Sequence, residues 1–206
     1  INLIALTDVD RCETHPNESY LLNVKPVENL CNWIQTNGQQ CHFIQISTDQ
    51  LYDGPGEHSE NVLTIRNHYA MSKLAGEYAA RLVPSTILRT NFVGRSLRKG
   101  RTSFTDWIYK ALHGTEPIRV FNNVMFSPLA SSSLCNYIER IIFERPLGIF
   151  NLGSRDGMSK ADFAFAFAFA TGLPTTNLIR SNANDAATLV ARRPIDMRMR
   201  CDHFEA

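Results

Sequence analysis

No run of about 18 consecutive apolar residues occurs in the sequence, which leaves no candidate for a membrane-spanning helix. No block or stripe of basic residues occurs either. Charged residues make up 20% of the 206, the formal net charge is +1, and nucleic acid is therefore a poor partner for this chain. Cysteine is sparse and unpatterned. Cys12, Cys31, Cys41, Cys135 and Cys201 are odd in number and scattered, with no C-x-x-C among them, which argues against a disulfide framework or a zinc site. The six histidines include no H-E-x-x-H, and no metal is expected. The apolar start, Ile1 to Leu6, has no basic region before it and no cleavage site after it, so it reads as a buried strand rather than a signal peptide. A reduced, cytoplasmic protein fits these features best.

What is present is 44% hydrophobic residues, enough for a real core, arranged in an alternating rhythm. After the strand at 1–6, the spacing of Tyr20, Leu21, Val24, Val27, Cys31 and Ile34 predicts one long helix from about Pro16 to Gln35, stopped by Asn37-Gly38. Residues 41–46 read as a second strand, followed by a polar loop with Gly54-Pro55-Gly56. A helix over 67–82, a strand over 85–90, a helix near 103–113, a strand at 118–121 and a helix near 132–144 complete the stretch. This βαβα order predicts a parallel sheet with helices on both faces. The alternating run from Phe163 to Ala170 has a strand's period. Ser159 and Asp162 nevertheless make a capping-box-like start, alanine favours helix, and Gly172 sits where a helix should stop. It is read as a buried helix with phenylalanines contacting both sides. Beyond Pro174 short elements and loops are expected, of the kind that cover the carboxyl ends of strands in open α/β proteins.

Three features carry chemistry. Ser47-Thr48-Asp49 follows an apolar strand, Tyr69 and Lys73 are four residues apart on one helix face, and Arg89-Thr90-Asn91-Phe92-Val93-Gly94 follows another strand. A free phenol has a pKa of about 10, and a neighbouring ammonium would stabilise phenolate and lower it. Tyr69 could then give a proton to a carbonyl oxygen as hydride reaches the carbon, with Thr48 donating to the same oxygen. The Y-x-x-x-K spacing alone is a weak signal, and an ordinary surface pair is its bland alternative.

These residues resemble a known family. Thr7-Asp8-Val9-Asp10-Arg11-Cys12-Glu13, Ser47 to Gly54, Tyr69 to Glu77 and Arg89 to Gly94 are similar to dTDP-4-dehydrorhamnose reductase, a branch of the short-chain dehydrogenase/reductase superfamily. Phe126-Ser127-Pro128, Gly148 to Ser154 and Ala191-Arg192-Arg193-Pro194 also match its pattern. The resemblance implies a Rossmann-like parallel sheet, partial over 1–125, and a mostly substrate-binding lobe over 126–206 whose elements interleave with it. It implies NADPH or NADH as cofactor, a nucleotide-sugar substrate reduced at its C4 keto group, and leaves a homodimer open. Thr48, Tyr69 and Lys73 match the family's catalytic positions. Ala5, Leu6, Thr7, Ser47, Tyr69, Lys73, Thr90, Asn91 and Phe92 match positions along the cofactor. Thr48, Asp49, Asn91 and Arg193 fall near the substrate, with a surface salt bridge as the equal rival for Arg193.

The chain departs from the pattern in three ways. None of its eleven glycines forms G-x-x-G-x-x-G or G-x-G-x-x-G, the turn that brings backbone close to a pyrophosphate, so Ile1 enters the family pattern after that segment. A fragment of a longer protein, or a degenerate product, is expected on that ground. The chain also ends before the family's usual last helix, and Ile4 stands where a small residue is common and could crowd the site. Among related reactions, dehydratases resemble S-T-D-E, whereas Gln50 cannot ionise, and epimerases usually have Ser-Ser at Ser47-Thr48. Ketone reduction fits best. A rival of another class is a binding subunit similar to the regulatory beta subunit of methionine adenosyltransferase.

Overall fold

The computed structural model describes residues 1–38, 40–98, 100–185 and 189–205. Helices α1 (Val9–Thr14), α2 (Pro16–Asn23) and α3 (Lys25–Thr36) precede strand β1 (Phe43–Ile46). Then come α4 (His68–Ala80), β2 (Ser85–Val93), α5 (Phe104–His113), β3 (Ile118–Phe121), β4 (Met125–Phe126) and β5 (Pro128–Ala130). Helix α6 (Ser131–Glu144), β6 (Gly148–Leu152), β7 (Met158–Ser159), α7 (Lys160–Thr171), β8 (Leu178–Ser181) and α8 (Asp202–Glu205) follow.

Strand β2 is the axis of the main sheet. It pairs in parallel with β1 on one side, Ile46 opposite Leu88. On the other side its first half pairs with β6 and its last three residues with β5, all parallel. Alternating side chains then face opposite layers. Phe43 and Ile87 pack with Val27, Cys31 and Ile34 of α3 and with Ala79 and Ala80 of α4. Ile44, Ile46, Leu88, Phe150 and Leu152 pack with Leu134 and Ile141 of α6 on the opposite face. The expected parallel sheet with helices on both faces is what the chain forms. A smaller unit pairs β3 with β8 in parallel and covers them with Ile108 and Leu112 of α5 and Ala161, Ala164 and Ala168 of α7.

Three expectations about elements need correction. The strand over 1–6 is a single bridge between Asn2 and Gln45. Beyond it the backbone leaves the ladder. The N–H of Ile4 donates to Asn2 Oδ1 and that of Leu6 to Asn23 Oδ1, while Leu3 and Ile4 are exposed. The single helix over 16–35 is two helices broken at Val24. Pro26 has no N–H to give the Leu22 carbonyl, and its ring would collide with that carbonyl in a continuous helix. The Phe/Ala run is indeed helical, started by the Ser159 hydroxyl accepting from the Asp162 N–H and stopped by Gly172 at φ +68°. It is not a buried helix, however. Ala161, Ala164 and Ala168 face the core, Phe163 packs on Phe104 and Phe126, and Phe169 is 89% exposed.

No helix among the described residues is long and apolar enough to cross a membrane.

Candidate active site

The carboxyl ends of β1 and β2 open into a cleft of about 410 Å³. Its wall contains Ala5, Thr7, Ser47, Thr48, Asp49, Tyr69, Lys73, Thr90, Asn91 and Phe92, so residues scattered over 88 positions meet in one place. The local reasons are simple. Ser47 to Asp49 continue β1 as it leaves the sheet, where Thr48 caps a short 3-10 turn by accepting from the Gln50 N–H at 3.2 Å. Thr90 to Phe92 lie on β2 where its partner changes from β6 to β5. Tyr69 and Lys73 occupy successive turns at the start of α4, one face of which looks into the cleft.

Helix α4 is fixed at this end by Asn67. Its Oδ1 accepts from the Ala70 N–H at 2.8 Å, while its amide donates to Gln50 Oε1 at 3.2 Å and to the Arg192 carbonyl at 2.9 Å. One side chain thus joins α4, the loop after β1 and the C-terminal segment. Asn67→Ala is expected to lower stability by about 1–2 kcal/mol, the usual loss for a removed cap, readable as a shifted urea midpoint with unchanged slope. Behind the helix, Gly76 allows α2 to approach: a Cβ there would lie 2.9 Å from the Asn23 carbonyl oxygen. The Asn23 side chain in turn holds both the N–H and the carbonyl of Leu6 and donates to Ser72 Oγ at 2.8 Å.

Leu6 itself does not line the cleft. It packs behind Tyr69 with Val9, Cys12 and Ala191. Ile4 does not crowd the site as expected, because it is 54% exposed and the wall beside it is made by Leu3 and Ala5. Arg193 forms the salt bridge of its second reading and also borders a pocket. Its guanidinium pairs with Asp10 at 3.0 Å, and it lines a second, adjoining pocket of about 220 Å³. Gln50 and Asn91 belong to the walls of both hollows.

The electrostatics of the pair differ from the expectation. Burial among Val9, Cys12 and Ala191 pushes the Tyr69 phenol up to about 12, partly opposed by the Thr48 side chain that faces it. Burial likewise pulls the Lys73 ammonium down to about 8, and Glu77 resists that shift. The Lys73 ammonium donates to the Ile46 carbonyl at 2.7 Å and does not lower the phenol. Asp49 is buried, which raises it to about 6, against the pull of Lys160 and the hydrogen bond from Asn91 Nδ2 at 2.6 Å. Tyr69 is therefore a protonated phenol at neutral pH, the form a proton donor needs.

Sequence reasoning missed several residues here. Arg101 lines the cleft and donates to Thr7 Oγ1 at 3.0 Å. The adjoining pocket combines Phe104, Trp107 and Phe121 with the cations Arg119 and Lys160. A lone lysine opening an otherwise Ala/Phe helix was the available signal for Lys160.

The residues present fit part of a nicotinamide nucleotide. The Thr90 hydroxyl lines the cleft, is buried and has no hydrogen-bond partner among the described residues, and Lys73 has two N–H groups beyond the one it gives to Ile46. Both suit a ribose and amide end. The described chain offers no glycine-rich cradle for the pyrophosphate.

Comparison with known proteins places the chain in a family. The sequence profile of the RmlD substrate binding domain matches residues 1–206. The spore coat polysaccharide biosynthesis protein SpsK of Bacillus subtilis (strain 168) is 27% identical over 86% of this chain and 62% of its own length. The dTDP-4-dehydrorhamnose reductase of Escherichia coli (strain K12) is 26% identical over all of this chain and 72% of its own. Methionine adenosyltransferase 2 subunit beta of Danio rerio is 26% identical over 95% of this chain and 62% of its own. Among solved structures, a hypothetical dTDP-4-dehydrorhamnose reductase from Sulfolobus tokodaii superposes with a TM-score of 0.86 at 25% identity, covering 99% of this chain and 71% of that one. The chain spans less than two thirds of the length of SpsK, and over the whole of its own length it belongs to the RmlD substrate binding domain family.

Proposed function

We propose that the protein is an NAD(P)H-dependent reductase of a nucleotide-linked keto-sugar, and that its substrate is a dTDP-linked deoxysugar carrying a C4 ketone. One observation carries this reading: Thr48, after β1, and Tyr69 and Lys73, on one face of α4, line one cleft at the carboxyl ends of parallel strands. The relatives named as dTDP-4-dehydrorhamnose reductases support the same substrate class.

In this reading NADPH or NADH, when bound, supplies the hydride. Thr90 and Lys73 hold its ribose and amide end. Tyr69 holds the proton destined for the ketone oxygen, and the Thr48 hydroxyl orients that oxygen. Lys73, held by the Ile46 carbonyl, keeps a positive charge beside the cleft as negative charge develops. The adjoining pocket suits the nucleotide: aromatic faces from Phe104, Trp107 and Phe121 for a base, and Arg119, Lys160 and Arg193 for a diphosphate. The proposed division of labour is a cofactor half over 1–125 and a mostly substrate-binding half over 126–206.

The test is loss of NADPH absorbance when the full-length protein meets a dTDP-4-keto-6-deoxysugar. Substrate-dependent oxidation with a stoichiometric hydroxysugar product is the expected result. NADPH binding without turnover, together with a changed rate of a methionine adenosyltransferase in its presence, would replace the reductase by a regulatory subunit.

A further inference from the structure

The three cations of the adjoining pocket are held in different ways. Lys160 rests on ring faces, its ammonium nitrogen 3.4 Å from the centroid of Phe126 and 4.7 Å from that of Phe104. Arg119 stands on β3. Arg193 has neither support, because it lies on irregular backbone between β8 and α8. Among the described residues it alone of the three is paired with a carboxylate, that of Asp10 in α1.

Asp10 holds that backbone and the Arg193 side chain together. Its Oδ1 accepts from the Ala191 N–H at 2.9 Å, and its Oδ2 meets Arg193 Nη2 at 3.0 Å. Arg193 Nη1 also donates to the Ala191 carbonyl at 3.3 Å. These contacts close a loop through Ala191, so the guanidinium is fixed against both its own main chain and α1. Two of its five N–H groups are used, and three remain for a ligand in the pocket. The Arg192 carbonyl, between the two residues, is tied to Asn67. With side chains 23% and 33% exposed, the ion pair itself adds little to stability. Its effect lies elsewhere. A long side chain left loose must be ordered when a ligand arrives, and that cost comes out of the affinity.

We propose that Asp10 is a positioning residue for nucleotide binding: from α1 it sets Arg193 in the wall of the adjoining pocket, ready for the diphosphate of a nucleotide-linked substrate. This rests on the reading of that pocket as the nucleotide site. Asp10 lines neither hollow, so it acts only through Arg193 and the segment that carries it. The same segment places Ala191 behind Tyr69. A shift of the segment would therefore reach turnover by a second route, and binding is the cleaner readout.

The test is the affinity of the full-length protein for dTDP, measured by titration calorimetry, in Asp10→Asn, in Arg193→Met and in the double variant. Asp10→Asn keeps an oxygen for the Ala191 N–H but turns an amide donor toward the Arg193 donors. It should weaken dTDP about 3–10-fold, the effect of having to order one long side chain on binding. Arg193→Met should weaken it about tenfold or more, the effect of losing a charge-assisted contact. In the Arg193→Met background Asp10→Asn should cause no further loss, because no guanidinium is left to place. A merely structural role for Asp10 would instead give additive losses, and additive losses overturn the proposal. So does an Arg193→Met variant that binds dTDP as well as the original. An unchanged or tighter affinity in Asp10→Asn overturns it too, since the carboxylate would then be idle or would compete with the diphosphate for Arg193. Failure of the unsubstituted protein to bind dTDP sinks the nucleotide-site reading and the proposal with it, whereas the other adverse outcomes leave that reading standing or fault Arg193 alone. Asp10→Asn retains the bond to Ala191 and is expected to fold. Should it not, Asp10→Ala takes its place and the same outcomes decide.

Discussion

Glu77→Ala should destabilise the protein by about 3–5 kcal/mol, the range for breaking a buried ion pair from one side. Glu77 and Arg89 are each 1% exposed and meet through three N–H···O contacts, Nη2 to Oε2 at 2.7 Å and Nε to Oε1 at 3.0 Å and to Oε2 at 3.3 Å. The pair is embedded in a longer network. Ser47 donates to Glu77 from the cleft side. Arg89 donates to the Tyr52 hydroxyl at 2.9 Å and to the Glu60 carbonyl at 2.7 Å, and Tyr52 donates to Asn151 Oδ1 at 2.6 Å. The carboxylate holds the Arg89 guanidinium firmly charged despite its burial. Removing Glu77 strands that charge and leaves the Ser47 hydroxyl without its acceptor. Against a typical stability of about 5–15 kcal/mol this is a large fraction, and urea unfolding will measure it. Glu77→Ala combined with Arg89→Met should recover much of the loss, because the stranded charge goes too. A loss under about 1 kcal/mol in Glu77→Ala would mean that water reaches Arg89 and that the network is not buried as described.

That network explains why parts of the site were legible and others were not. Strand β1 announces itself as a short apolar run, because a strand covered on both faces needs apolar side chains at most positions, whereas β2 mixes Ile87 and Leu88 with Ser85, Thr86 and Arg89 and is legible chiefly from its place after α4. Helix α4 was legible from Asn67 onward because capping is local chemistry. Tyr69 and Lys73 fall on one helix face by spacing alone, and Thr48 sits after a strand end, so their meeting in one cleft follows from the α/β order. The break at Val24 was visible in principle, since Pro26 cannot continue α2. It was outweighed by the continuous apolar stripe through Val24, Val27 and Cys31. Other features depend on distant segments and carry no local signal. The upward shift of the Tyr69 phenol comes from Val9, Cys12 and Ala191 closing over it. The placement of Lys160 depends on Phe104 and Phe126 arriving from two other elements. The first residues failed as a strand because ladder bonds are a property of the neighbours, and here Asn2 and Asn23 side chains take the N–H groups of Ile4 and Leu6.

Tyr69→Phe should lower kcat by about 10²–10⁴-fold, the range for losing a positioned general acid. The hydroxyl is the only group removed, and the ring that packs with Val9, Cys12 and Ala191 stays, so the fold and cofactor affinity should remain near their original values. KM should change little, because the proton moves only as the ketone becomes an alkoxide, and an interaction made only then appears in kcat. The sign of the shift matters. With its phenol pushed up to about 12, Tyr69 stays protonated across the neutral and mildly alkaline range. An alkaline fall in rate centred near 8 would then report Lys73, whose ammonium burial has lowered to that region, and Lys73→Met should abolish that limb. Thr48→Val separates the orienting hydroxyl from the acid. It should cost about 10²–10³-fold, the effect of removing one donor to a developing oxyanion, while leaving the alkaline limb in place. Pre-steady-state mixing with the keto-sugar would measure the chemical step directly in all three variants. Wild-type rates in Tyr69→Phe would remove Tyr69 as the acid. The cleft would then have to draw its proton from Lys73, whose ammonium burial has lowered to about 8, or from Asp49, whose carboxyl is raised to about 6, both on the same wall.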